Sequence, residues 1–144
     1  MALIRLPIAA FDAVVAIDNF YFVVDLNGIL ARLALALRPG GQMAVTWSSW
    51  AAASVDRASL APARNRLGQA LQRRGLSYRT LDFTSQEAAD WRRKLEVLRS
   101  MEPDFASEGN LFLYRKRLIE AESHQEYVAA GIVSRYLYLV RLPA

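Results

Sequence analysis

Two short stretches carry side chains that could do chemistry, and each follows an apolar run. Asp18, Asn19 and Tyr21 place a carboxylate, an amide and a phenol just beyond Phe11 to Ile17 (FDAVVAI). Trp47-Ser48-Ser49-Trp50 sets two indoles around two hydroxyls at the end of Gln42 to Trp47 (QMAVTW). Aromatic walls with a few polar groups suit a small-molecule pocket. The alternative is that Asp18 caps a turn and the tryptophans close the edge of a core. Further on, Glu108, Asn110, Tyr114, Arg117, Glu120 and Arg135 form a polar set, fit either for substrate recognition or for an internal Arg–Glu network. His124 is the single histidine. Its ordinary pKa near neutrality suits a general base, whereas its neighbours Glu122, Gln125 and Glu126 favour a solvated helix position.

These groups need elements to hold them. Phe11 to Ile17 reads as a strand buried on both faces, of the kind found inside parallel sheets. A helix should follow, capped by Asp25, with Leu26, Ile29, Leu30, Leu33 and Leu37 at helical spacing until Arg38-Pro39-Gly40-Gly41 stops it. Gln42 to Trp47 is a second buried strand, and two such strands joined through a helix make a right-handed crossover. A small-residue loop, Ser48 to Ser54, then leads to a helix over Asp56 to Arg74, with Leu60, Leu67 and Leu71 on one face and Gly75 as its stop. Leu76 to Phe83 alternates like a half-exposed strand. Thr84-Ser85-Gln86-Glu87 has the pattern of a capping box and opens a helix carrying Trp91, Leu95 and Leu98, which Pro103 closes. A longer helix spans Leu111 to Ala130 and ends at Gly131. Ile132 to Leu142 completes the chain as a strand rich in tyrosine and branched residues. Ligands of open parallel sheets bind beyond the carboxyl ends of the strands, which here are Ala16 to Tyr21 and Trp47 to Trp50.

Composition narrows the class. The chain has 144 residues, 53% of them hydrophobic, and no cysteine, so it is neither disordered nor held by disulfides or a thiolate zinc site. No carboxylate spacing argues for a metal. The net charge of +4 is mostly arginine, scattered in short clusters such as Arg73-Arg74, Arg92-Arg93-Lys94 and Arg115-Lys116-Arg117. Nucleic acid is not the expected partner, because a footprint needs a continuous basic face. The N-terminus lacks the apolar length of a signal segment, and no stretch suits a membrane span. A cytoplasmic protein of one domain is the expectation.

The stretch from Phe11 to Trp47 resembles the second half of a class I S-adenosylmethionine-dependent methyltransferase domain, with its F-D-x-V strand opening, polar-aromatic loop and L-x-P-G-G turn. Leu6-Pro7 resembles the family's L-P upstream of that strand. The rest resembles a small-molecule branch: Asp82, Thr84 and Trp91, then Asp104 to Asn110, Leu113 to Arg117, Glu120, and R-Y-L-Y at Arg135 to Tyr138. The resemblance implies an α/β fold, a partial doubly wound Rossmann-like sheet, mostly parallel with an antiparallel final strand, and a helical insertion over about 84–130. It places the start of the chain just before the family's fourth strand, with strand order four, five, seven, six. The family's glycine-rich loop is not found, since no G-x-G-x-G occurs in the sequence.

By the same resemblance the cofactor is S-adenosylmethionine, faced by Ala16, Ile17 and Asp18 with Tyr21 or Phe22 nearby. Trp47, Trp50, Asn110, Tyr114, Arg117 and Arg135 are the candidates for a small-molecule methyl acceptor, and no residue stands out as the catalytic base. Methyl transfer by in-line displacement relies largely on positioning. With one half of the sheet absent, the first strand should keep an open edge and uncovered apolar surface. A second copy or a partner chain would cover it, and cofactor affinity should be poor without a complement. A non-catalytic interaction module pairing through that edge is the rival reading.

Overall fold

The computed structural model describes residues 6–50 and 56–143. Strand β1 (Phe11–Ala16) passes through a 3-10 turn at Phe20–Phe22 into helix α1 (Leu26–Ala36). Asp25 caps α1 as expected, its Oδ1 accepting the Gly28 N–H at 2.8 Å. Leu26, Leu30 and Leu33 form its buried stripe. The helix gives way at Leu37 to strand β2 (Leu37–Trp50), so the Arg38-Pro39-Gly40-Gly41 segment both ends α1 and begins β2. Gly40, at φ 73°, accommodates the irregular start, and the ladder with β1 jumps from Phe11–Leu37 to Ala13–Gln42 before becoming regular. Ser48 to Trp50 extend β2 rather than opening the expected loop, whose remaining residues, 51–54, lie outside the described residues.

The helix expected over 56–74 is split into a 3-10 turn at Arg57–Leu60 and helix α2 (Arg66–Arg73). Pro62 is the cause: it holds Ala61 in extended backbone, at φ −62° and ψ 143°, which ends the turn. Asn65 restarts the helix by accepting the Gly68 N–H at 2.9 Å. Strand β3 (Tyr78–Asp82) and helices α3 (Thr84–Ser100), α4 (Glu102–Ser107) and α5 (Leu111–Ala129) follow, then strand β4 (Val133–Arg141). Pro103 lies in the first turn of α4, where its missing N–H costs nothing, after α3 has already ended.

The sheet order is β1-β2-β4-β3. β1 and β2 run parallel, and β4 lies antiparallel between β2 and β3, the arrangement the family resemblance implies. Helices α1 and α2 pack with the Met43, Val45, Trp47, Tyr138 and Val140 side of the sheet to form the main core. α3 packs against α5 and reaches β4. β1 departs from the reading of a strand buried on both faces. Among the described residues it pairs only with β2, and at alternate positions Phe11, Val15 and Ile17 stand exposed, at 40%, 66% and 62%. No described helix is long and apolar enough to cross a membrane.

Candidate functional site

The loop leaving β1 is fixed by its own polar residue. Asp18 has a left-handed backbone, φ 53°, a conformation that aspartate tolerates better than most side chains. Its N–H donates to Thr46 Oγ1 at 2.9 Å, and the Thr46 hydroxyl donates back to Asp18 Oδ1 at 3.2 Å. Arg135 secures the carboxylate, with Nη2 reaching both Asp18 oxygens at 2.7 Å. The other guanidinium nitrogen, Nη1, donates to Ser48 Oγ and to Glu87 Oε1, each at 3.3 Å. Ser48 sits directly opposite Arg135 in the β2–β4 ladder. One guanidinium thus ties together the ends of β1 and β2 and the start of α3.

Glu87 reaches this cluster because the expected capping box does not form. Thr84 is the first residue of α3, and its hydroxyl oxygen accepts the Arg135 backbone N–H at 3.0 Å. Asp82 Oδ1 takes the Thr84 N–H at 2.8 Å, leaving the Glu87 side chain free to turn toward the sheet. There Glu87 accepts from Trp91 Nε1 at 3.4 Å as well as from Arg135. Burial pushes its carboxyl above the usual carboxylate range, against the opposing pull of Arg135.

His124 on α5 overturns the expectation of a solvated residue, being 4% exposed. Its ring stacks on Trp91 with centroids 4.3 Å apart, and Lys94 Nζ lies 3.8 Å from the Trp91 ring centroid. Burial, reinforced by Lys94, lowers the His124 pKa, so the ring is neutral at pH 7. Its Nε2 is buried without a hydrogen-bond partner, 4.0 Å from Glu87 Oε1.

The residues carried over from the resemblance divide into separate places. Ala16 is buried, whereas Ile17 and Phe22 are exposed. Tyr21 meets Trp47 edge to face at 6.4 Å, and its phenol is pushed up by burial and by Asp18. Trp47 and Tyr21 share a cleft of about 310 Å³ with Ser48, Trp50, Arg64 and Arg66. Trp47 lies in the main core, and the Arg66 guanidinium is 6.0 Å from its ring centroid. Arg135 does not line this cleft; its guanidinium is engaged by Asp18 and Glu87. Asn110, at the start of α5, donates to Glu108 at 3.3 Å, and Tyr114 is buried against Phe105. Arg117 pairs with Glu120 at 2.8 Å along α5, with both side chains nearly half exposed. The Arg–Glu network weighed for this set forms in part: Arg117 pairs with Glu120 within the set, whereas Arg135 pairs outside it, with Glu87. Thr84, Glu87 and Trp91 recur at positions that share one helix face. That spacing was the signal for Glu87, obscured by its equally good fit to a capping box. Among the described residues no group of three or more potential ligands could hold a metal ion.

No family model matches the sequence, and no curated relative matches it. Solved structures do. Phosphoethanolamine N-methyltransferase 2 of Haemonchus contortus superposes with a TM-score of 0.81 at 15% identity, over 96% of this chain and 35% of that one. The chain has the class I methyltransferase fold. A Galdieria sulphuraria protein described as a sarcosine dimethylglycine methyltransferase gives 0.75 at 20% identity, covering 97% of this chain and 56% of its own. A cyclopropane synthase of Mycobacterium tuberculosis gives 0.78 at 12%, covering 96% and 56%. The chain therefore spans between 35% and 56% of the length of these methyltransferase-fold structures. In the methyltransferase fold, as in other open α/β sheets, ligands sit beyond the carboxyl ends of the parallel strands, which is where Asp18 and Trp47 to Trp50 lie.

Proposed function

We propose that this chain provides the acceptor-side portion of an S-adenosylmethionine-dependent methyltransferase acting on a small molecule. The observation that carries the reading is the Asp18 loop, held in a left-handed conformation by Thr46 and Arg135 at the carboxyl end of β1. Ala16, Ile17, Asp18, Tyr21 and Phe22 then form one wall of the cofactor site. The structures of similar fold support this: the Haemonchus contortus enzyme is described with S-adenosylhomocysteine bound and in another form with S-adenosylmethionine.

The opposite wall needs backbone amides that can approach the cofactor closely, the task of a glycine-rich loop, and this sequence has none. A complementary segment pairing with the open edge of β1 supplies it in this reading. Cofactor binding by the 144-residue chain alone should then be about millimolar or weaker. The test is an NMR titration of the chain with S-adenosylhomocysteine. Amide shifts concentrated at Ala16 to Phe22 support the assignment. Shifts elsewhere, or none at saturating ligand, overturn it, and saturable micromolar binding removes the need for a complement.

A second reading, a non-catalytic module that pairs through β1, draws on the exposed Val15 and Ile17. It predicts tight association with no amide shifts in the Asp18 loop.

A further inference from the structure

A second constellation, separate from the aromatic cleft at Trp47, lies between α3, α5 and β4. A cleft of about 200 Å³ opens here, lined by Phe83, Gln86, Glu87, Asp90, Trp91 and Arg135. Its chemistry is lopsided. The single cation among these residues, Arg135, already has Nη2 spanning the Asp18 carboxylate and Nη1 on Ser48 and Glu87. Glu87 and Asp90 bring carboxylates and Gln86 an amide oxygen, so the cleft offers acceptors and negative charge to whatever enters it. Glu87, at its floor, is 9% exposed.

Behind Glu87 stands the unpartnered Nε2 of His124, 4.0 Å from Glu87 Oε1. A buried polar atom without a partner is costly to maintain, and in native structures it often has a chemical use. The gap leaves no room for a bridging water, but a shift of about 1 Å closes it to a hydrogen bond. The charged and titratable groups facing this pair are Arg135 from β4, Asp18 and Tyr21 from the segment after β1, Lys94 on α3 and Glu120 on α5. The cleft also adjoins the cofactor-facing loop, since Glu87 and Asp18 share one guanidinium.

Building on the methyl-transfer reading, we infer that this cleft receives the nitrogen of an amine acceptor, with Glu87 taking first its charge and then its proton. The acceptor enters as an ammonium whose N–H groups donate to the Glu87 carboxylate. One N–H proton moves to Glu87, freeing the nitrogen lone pair. That pair forms the new N–C bond with the sulfonium methyl, and the electrons of the breaking C–S bond return to sulfur as a thioether. The proton is held between Glu87 and His124 Nε2 during transfer and leaves to solvent through the cleft when the methylated product departs, which regenerates the carboxylate and the neutral ring. His124 is a relay behind the base and does not itself touch the acceptor.

The single histidine makes the test direct. The His124 imidazole resonances of the full chain are followed by NMR as ethanolamine is added, with ethylene glycol and acetate as size-matched probes lacking the cation. The expected result is a saturable shift with ethanolamine only, weakened about ten-fold or more in Glu87→Gln and unchanged in Glu96→Gln. An equal response to ethylene glycol or acetate overturns the proposal, as does ethanolamine binding that survives Glu87→Gln. If Glu87→Gln fails to fold, Asp90→Asn replaces it, and an unaltered affinity there overturns the assignment. The S-adenosylhomocysteine titration of the Asp18 loop separates the two readings. Ethanolamine binding without cofactor shifts keeps the amine site and removes methyl transfer, whereas cofactor shifts without ethanolamine binding remove the amine site alone.

Discussion

Arg135 shows how one residue decides what its neighbours do. With its backbone N–H satisfied by Thr84 and its guanidinium by Asp18, Ser48 and Glu87, it draws three side chains away from the local roles their sequence context suggests. Glu87 and His124, buried together, titrate in opposite directions. His124 is depressed in the folded chain, so as pH falls below its ordinary 6.5 the unfolded state takes up a proton first. Its contribution is complete above that value and is lost as pH drops through the folded value. Glu87 is raised, so its contribution is complete below its ordinary 4.5 and is lost as pH rises through its folded value. His124→Gln should therefore remove a loss of stability on acidification below about pH 6.5, and Glu87→Gln a loss on the alkaline side, each at most about 1.4 kcal/mol per pH unit. Urea midpoints between pH 4 and 8 read both limbs. An acid limb unchanged in His124→Gln would contradict the burial of that ring. Asp18, Tyr21 and Trp47 were legible as candidates because polar and aromatic residues at strand ends stand out, and Arg135 through the resemblance of its R-Y-L-Y segment. The partnership of Glu87 with His124 was not, since it joins helices whose mutual packing no local pattern encodes.

At the scale of elements, the join between α2 and the sheet is the most exacting. Tyr138, fully buried on β4, accepts from Asn65 Nδ2 at 2.6 Å and donates to the Pro62 carbonyl at 2.7 Å. The same carbonyl stands where a side chain on Gly68 would go, because a Cβ there would lie 1.8 Å from Pro62 O. Tyr138→Phe should cost about 1 to 3 kcal/mol by leaving the Asn65 amide and the carbonyl short of a partner. Gly68→Ala should cost about as much through the forced retreat of α2 from the Pro62 segment. Chemical denaturation measures both, and a neutral Gly68→Ala would show that α2 can move away freely. Strand and helix types were readable from hydrophobic period, as at α1 and β4. The division of the 56–74 segment was not, because a helical leucine spacing at Leu60, Leu67 and Leu71 outweighed the single Pro62 in that reading. The capping box failed for a comparable reason: Asp82, two residues upstream, takes the Thr84 N–H, and the Thr84 hydroxyl is claimed by β4 through the Arg135 N–H, a tertiary contact.

For the whole molecule, the unequal edges of the sheet matter most. Among the described residues, β1 presents an unpaired edge and an apolar row, Phe11, Val15 and Ile17, flanked by exposed Ile8, Phe22 and Val24. An edge of this kind invites pairing with another chain. The chain is expected to self-associate as its concentration rises, and Val15→Lys should shift it toward monomer without lowering its thermal midpoint, because that side chain is solvent-facing. Light scattering on a sizing column reads the outcome, and a wild-type chain that stays monomeric at high concentration would contradict it. The sequence by itself determined the α/β class, the crossover between β1 and β2 and the strand-end position of the candidate site, because these follow from hydrophobic period and turn chemistry along the chain, while the strand order came from the family resemblance of its motifs. The tertiary structure alone decided that Arg135 binds Asp18 and Glu87, that His124 is buried beside a carboxylate, and that β1 is half uncovered. Each of those depends on which distant segment arrives at a given surface and with what geometry, and residue type and local spacing carry no information about that arrival.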